Sequence, residues 1–120
     1  MAELEASKLA QKKCQPCEGD TKPLSIKEAK ELLVQLSGWN LSNDSKCLWR
    51  EYVMKDFRAA VELIQRIAEV AESEDHHPDL YLTSYRKLRI ELATHSIGGL
   101  SENDFILAAK IDRLPKVLKK

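Results

Sequence analysis

The stretch Lys87–His95, KLRIELATH, restricts the fold more than any other part of the chain. Leu88, Ile90, Leu92 and Thr94 fall on one side of an extended backbone, and Lys87, Arg89, Glu91, Ala93 and His95 fall on the other. A two-residue period of this kind describes an antiparallel strand with one face on a core and one in water. It also aims His95 away from the apolar row. Such a strand needs partners, and the chain supplies three further extended segments. LYLTSY (80–85) lies just upstream, while WNLSN (39–43) and KCLWREYVM (46–54) are joined by the turn signal Asn43-Asp44. The short connections make these segments hairpins. Trp39, Trp49 and Tyr52 are read as core or interface packing, because large aromatics carry much of the burial in a small domain.

Helical patterns fill the intervals. SIKEAKELLVQLSG opens on Ser25 with Glu28 three residues later, a capping box, and stops at Gly38. Its apolar face is expected to be Ile26, Ala29, Leu32, Leu33 and Leu36. Asp56 caps FRAAVELIQRIAEVAES, with Phe57, Ala60, Val61, Ile64, Ala68 and Ala71 at three- and four-residue steps. Ile97-Gly98-Gly99 is a turn, after which Ser101 and Asp104 form a second capping box on a last helix ended by Pro115. The order is α-β-β-α-β-β-α. Strands in hairpin pairs without βαβ alternation define an α+β class: two layers, a four-stranded antiparallel sheet with helices packed on one face.

The expected organisation is a flexible N-terminal extension at 1–24, one domain at 25–115 and a short basic tail at 116–120. The extension is polar, punctuated by Pro16, Gly19 and Pro23, and carries a C-x-x-C at Cys14 and Cys17. No second ligand pair follows at zinc spacing, and no strand precedes it as in a thioredoxin-like motif, so the pair is read as structurally minor. With Cys47 the chain has 3 cysteines, an odd number that suits a reducing compartment better than a secreted disulfide framework.

Lysine plus arginine and aspartate plus glutamate both count 19, so the net charge is zero and no global basic field exists for direct nucleic acid binding or for an anionic membrane. The apolar runs are too short to span a bilayer, and the N-terminus lacks the apolar segment of a secretory signal. The expected location is cytoplasmic, or organellar if a presequence has been removed.

All 3 histidines, His76, His77 and His95, lie between Glu72 and Asp104, two carboxylates that could orient them. Imidazole titrates near neutrality, which makes it the usual proton carrier. Glu72 and His76 are four apart and share a side if the helix continues that far. Glu72 also sits near the C-terminal end of the helix, where a negative charge opposes the helix dipole. Spacing alone leaves three readings open: acid/base catalysis by the histidines with Glu72 and Asp104, a zinc or iron site, or a solvated HHP loop beside an exposed strand residue. Neither H-x-H nor H-x3-H spacing supports the metal.

ESEDHHP, an aromatic-bearing strand, and then THSIGGLSEND together resemble the pterin-4a-carbinolamine dehydratase family, also known as dimerisation cofactors of a homeodomain transcription factor. The resemblance runs from about Leu24 to Leu114. It implies loss of water from 4a-hydroxytetrahydropterin to give quinonoid dihydropterin, without metal or organic cofactor, in tetrahydrobiopterin recycling. It implies catalytic roles for His76, His77, His95, Glu72 and Asp104, with His76 and His95 the main proton carriers. Pterin contacts would come from His76, His77, Pro78, Thr94, His95, Ser96 and Ile97. It further implies a homodimer or homotetramer, and a protein partner if the chain acts instead as a non-enzymatic dimerisation, assembly or transcriptional cofactor. The chain departs from the family at Leu80, where tryptophan is frequent, and at Asn103, where arginine often precedes the aspartate. The segment between His77 and His95 is also one residue longer than in animal members.

Overall fold

The computed structural model describes residues 8–16 and 22–120. A helical turn at residues 8–11 leads in. The order is then α1 (Ile26–Leu33), β1 (Asn40–Leu41), β2 (Leu48–Val53), α2 (Phe57–Glu74), β3 (Asp79–Thr83), β4 (Lys87–Leu92), a 3-10 turn at His95–Ile97, and α3 (Glu102–Asp112). The expected α+β order is observed. The sheet has four strands in the order β1-β2-β4-β3, with every neighbouring pair antiparallel. Strand β4, the segment with the clearest alternation, is therefore central. It pairs with β2 from Leu48↔Leu92 to Val53↔Lys87 and with β3 from Asp79↔Glu91 to Thr83↔Lys87.

The period-two pattern translates directly into burial. Leu88, Ile90 and Leu92 are fully buried with Leu48 and Tyr52 of β2. The opposite face carries Arg89, whose guanidinium stacks over Trp49 at 4.0 Å and bonds Glu91 at 2.6 Å. The β3–β4 hairpin turns through Ser84 and Tyr85, both at positive φ (49° and 53°). The loop between the paired Thr83 and Lys87 is three residues long, Ser84 to Arg86, and it is made without glycine.

The helices cover the apolar face. Ser25 and Asp56 cap as expected, Ser25 accepting from the Glu28 N–H at 3.1 Å and Asp56 from the Ala59 N–H at 2.8 Å. Two expected faces shift. In α2 the buried stripe is Ala60, Leu63, Ile67 and Ala71, whereas Phe57 and Ala68 are exposed and Val61 and Ile64 only partly covered. Ile26 of α1 is also exposed. Ile26 and Phe57 are each the first residue of their helix. Helix α1 ends at Leu33, and the chain reaches Gly38 through turns, its φ of 86° confirming the need for glycine there. Helix α3 is buried almost all round, from Asn103 to Ala109. Part of that burial comes from the N-terminal segment, where Leu9 is 2% exposed and the Lys110 Nζ donates to the Ala10 carbonyl at 2.7 Å.

Cys14 is a free thiol; Cys17, the other half of the C-x-x-C, lies outside the described residues. No helix among the described residues is long and apolar enough to cross a membrane.

Candidate active site

Helix α2 ends on Asp75 in the left-handed conformation (φ 51°), and the His76 N–H bonds back to the Ala71 carbonyl at 3.2 Å. This terminator reverses the chain before the two histidines. His76 turns inward, where its Nε2 lies 2.6 Å from Asp104 Oδ1. His77 turns outward, and its Nε2 contacts Glu72 Oε2 on the surface. The expectation that Glu72 would share a side with His76 is thus corrected. Four-residue spacing requires an unbroken helix, and the left-handed residue at Asp75 passes Glu72 to His77 instead.

The two pairs differ in setting. The His76 side chain is 12% exposed and Asp104 0%, whereas His77 and Glu72 are 55% and 75% exposed. An exposed pair of this kind contributes little to stability, while a buried carboxylate must have all its lone pairs answered. Asp104 meets that demand. Its Oδ2 accepts from Thr94 Oγ1 at 2.8 Å and from the Ser101 N–H at 3.0 Å, and Thr94 Oγ1 lies 2.7 Å from Ser101 Oγ. The Ser101 N–H contact is the carboxylate half of the expected capping box. With Thr94 and Ser101 donating to one oxygen, the other accepts from the imidazole. His76 therefore carries its proton on Nε2 when neutral, an assignment from the hydrogen-bond pattern, and its Nδ1 lone pair is left for proton chemistry.

This pair borders a cavity of about 330 Å³ lined by Cys14, Gln15, Pro16, Glu74, Asp75, His76, Thr94, Ser96 and Asn103. Of the residues expected at a site, His76, Thr94 and Ser96 line it. Asp104 braces His76 from within the protein. His95 is exposed on the 3-10 turn between Thr94 and Ser96, where the bridge between Thr94 and Gly99 has already ended the sheet pattern. The lining does not include Glu72, His77, Pro78, His95 or Ile97. It does include Cys14, Gln15 and Pro16, which the sequence places in an extension, and Glu74, Asp75 and Asn103. Burial, followed by the Glu74 carboxylate, pushes the Cys14 thiol up to about 12. Among the described residues no group of three or more His, Cys, Asp or Glu is placed to hold a metal ion.

Fold and site define an antiparallel α+β protein with a buried imidazole–carboxylate pair at the edge of a ligand-sized cavity. Residues 22–114 match the family described as pterin 4 alpha carbinolamine dehydratase, and the chain belongs to that family. It is 47% identical over 109 residues to the mitochondrial pterin-4-alpha-carbinolamine dehydratase 2 of Arabidopsis thaliana, a match spanning 88% of this chain and 58% of the plant protein. It is 43% identical over 106 residues to a Halorhodospira halophila protein provisionally named as the same dehydratase, spanning 88% of this chain and 96% of that one. Among solved structures, a Brucella melitensis protein described as a transcriptional coactivator/pterin dehydratase superposes with a TM-score of 0.71 at 33% identity, covering 76% of this chain and 96% of that one.

Proposed function

We propose that the chain is a hydro-lyase that removes water from 4a-hydroxytetrahydropterin to give quinonoid dihydropterin, within tetrahydrobiopterin recycling. The observation that carries this reading is the His76–Asp104 pair beside the cavity, in a chain that belongs to this family. The elimination breaks the C4a–O bond and forms the C4a=N5 double bond. A base takes the N5 proton, and an acid gives a proton to the departing hydroxyl, which leaves as water. His76, with Nε2–H held by Asp104, acts as the base through Nδ1, the arrangement in which a carboxylate stabilises the imidazolium that forms. His95, exposed between two lining residues, delivers the proton to the hydroxyl. His77, steadied by Glu72, assists at the rim. Thr94 and Ser96 contact the pterin within the cavity, with Pro78 and Ile97 meeting it outside that lining. The scheme uses no metal and no organic cofactor.

Turnover of 4a-hydroxytetrahydropterin, followed by the absorbance of the quinonoid product, tests this. Wild type should exceed buffer, and His76→Ala should lose about 10²–10⁴ of the rate, the usual worth of a positioned acid or base. Equal rates for wild type, His76→Ala and buffer would remove the reading. The coactivator half of the Brucella protein's description favours a second role, as a dimerisation or assembly partner. In that role the chain forms a homodimer or homotetramer that binds a protein partner. Light scattering on the purified chain reads the assembly state, and an inactive His76→Ala protein that still assembles would separate the two roles.

A further inference from the structure

Three features of the molecule are not used by the scheme above. The first is the cluster in which Asp112 accepts from Trp39, Arg50 and Tyr52 beside a second cavity. Its groups answer one another, so it reads as a clasp between α3 and the sheet. The second is the Trp49–Arg89 face of the sheet, where nothing indicates an occupant. The third is the N-terminal arm, and its contacts converge on the catalytic pair.

We propose that arm residues Cys14–Pro16 form a wall of the pterin cavity, and that Asn103 is the positioning residue that fastens it. The arm would then be a determinant of pterin affinity rather than an appendage. This proposal rests on the dehydratase reading for its ligand. Three residues of the arm line the cavity beside His76. The Asn103 carboxamide engages the Gln15 backbone twice: the Gln15 N–H donates to Oδ1 at 2.9 Å, and Nδ2 donates to the Gln15 carbonyl at 2.6 Å. A single side chain thereby imitates a paired strand, which needs one donor and one acceptor side by side. Aspartate lacks the donor, and alanine lacks both. A second anchor is the Glu74 carboxylate, which accepts from the Cys14 N–H at 2.8 Å. Glu74 ends α2 two residues before His76, and Asn103 adjoins Asp104 in the first turn of α3. The arm therefore bridges the two elements that hold the pair. Further back it is seated by the buried Leu9 and by the Lys110–Ala10 bond. Without this segment, the side of the cavity lined by Cys14, Gln15 and Pro16 would open to solvent.

The test uses the full chain. Asn103→Ala should raise the KM for 4a-hydroxytetrahydropterin about tenfold, the scale of one to two lost hydrogen bonds, while kcat stays within about twofold. Glu74→Ala should do the same, and Glu74→Gln should restore the wild-type KM, since an amide oxygen still accepts from Cys14 without the charge. A second readout is independent of turnover. Alkylation of Cys14 by iodoacetamide, read peptide by peptide, should be slowed in wild type by saturating 7,8-dihydropterin and accelerated by Asn103→Ala, with Cys47 unchanged as the internal reference. Unchanged KM, or a fall in kcat at constant KM, would overturn the proposal. So would a Cys14 rate insensitive to dihydropterin, or a parallel rise at Cys47, which would trace the effect to general loosening. If wild type shows no turnover the dehydratase reading fails, and the alkylation experiment still decides whether the arm walls a pterin cavity.

Discussion

Asp104 shows how much one side chain can be asked to do. One oxygen holds His76, and the other is shared by Thr94 and the N–H of Ser101, the N-cap of the last helix. Asp104→Asn keeps the size but puts a donor where only donors point at it, so it should lower kcat by about 10²–10⁴ and destabilise the fold by about 1–3 kcal/mol. Steady-state turnover and urea unfolding measure the two effects. His77→Ala, which removes an exposed contact with Glu72, should leave stability within about 0.5 kcal/mol of wild type. The same experiments compare it. At this scale the sequence named the participants but not their pairing. His76, His77, Glu72 and Asp104 are conspicuous as residue types, whereas the partner exchange depends on Asp75 adopting φ 51°. Aspartate tolerates that conformation without demanding it, so no pattern in the sequence announces it. Asn103 was visible only as a departure from the family, and the structure supplies the reason it matters, a pair of hydrogen bonds to the Gln15 backbone 88 residues away in sequence.

Among the elements, β4 was the most legible and α3 the least. An alternating strand reports which face is wet, and Leu88, Ile90 and Leu92 are buried as that period requires. Helix α3 has no wet side to read, because the sheet, α1, α2 and the arm enclose it. The stripe of α2 was mis-set because alanine marks either face of a helix; Leu63 and Ile67 carry the burial that Val61 and Ala68 were expected to share. Two turns offer direct tests. Gly38 sits at φ 86°, and a Cβ there would lie 2.8 Å from the Arg50 Cζ, so Gly38→Ala should cost about 1–3 kcal/mol, read as a lower urea midpoint. The opposite change is available in the β3–β4 hairpin. Ser84 and Tyr85 both occupy the left-handed region, and replacing them with Asn-Gly (S84N/Y85G) should stabilise by about 1 kcal/mol, read as a higher melting temperature.

Across the fold, three groups among the described residues, Cys14, Cys47 and Tyr52, are held in their protonated forms by their surroundings. Burial first, then nearby carboxylates, raise Cys14 to about 12 and Cys47 to about 11 from an ordinary 9.0. Burial and the adjacent Asp112 push Tyr52 upward as well. These groups release protons in the unfolded chain before they do so in the folded one. Their stabilising effect is therefore complete below pH 9 and is lost as pH rises toward 11–12. Urea midpoints should fall between about pH 8 and about pH 10.5, and Cys14→Ser with Cys47→Ser should flatten the fall. Both thiols keep some contact with solvent, so the slope will be gentle.

Because the last helix and the His76 imidazole hang on the two oxygens of Asp104, a cell would meet a lesion at this position twice. The altered enzyme would be slow, and it would also be scarce, since a loss of one or two kcal/mol moves more chains into the pool that chaperones and proteases clear. Apparent activity in an extract would then fall further than the rate constant, and an inactive but normally abundant reference protein is better made at His76.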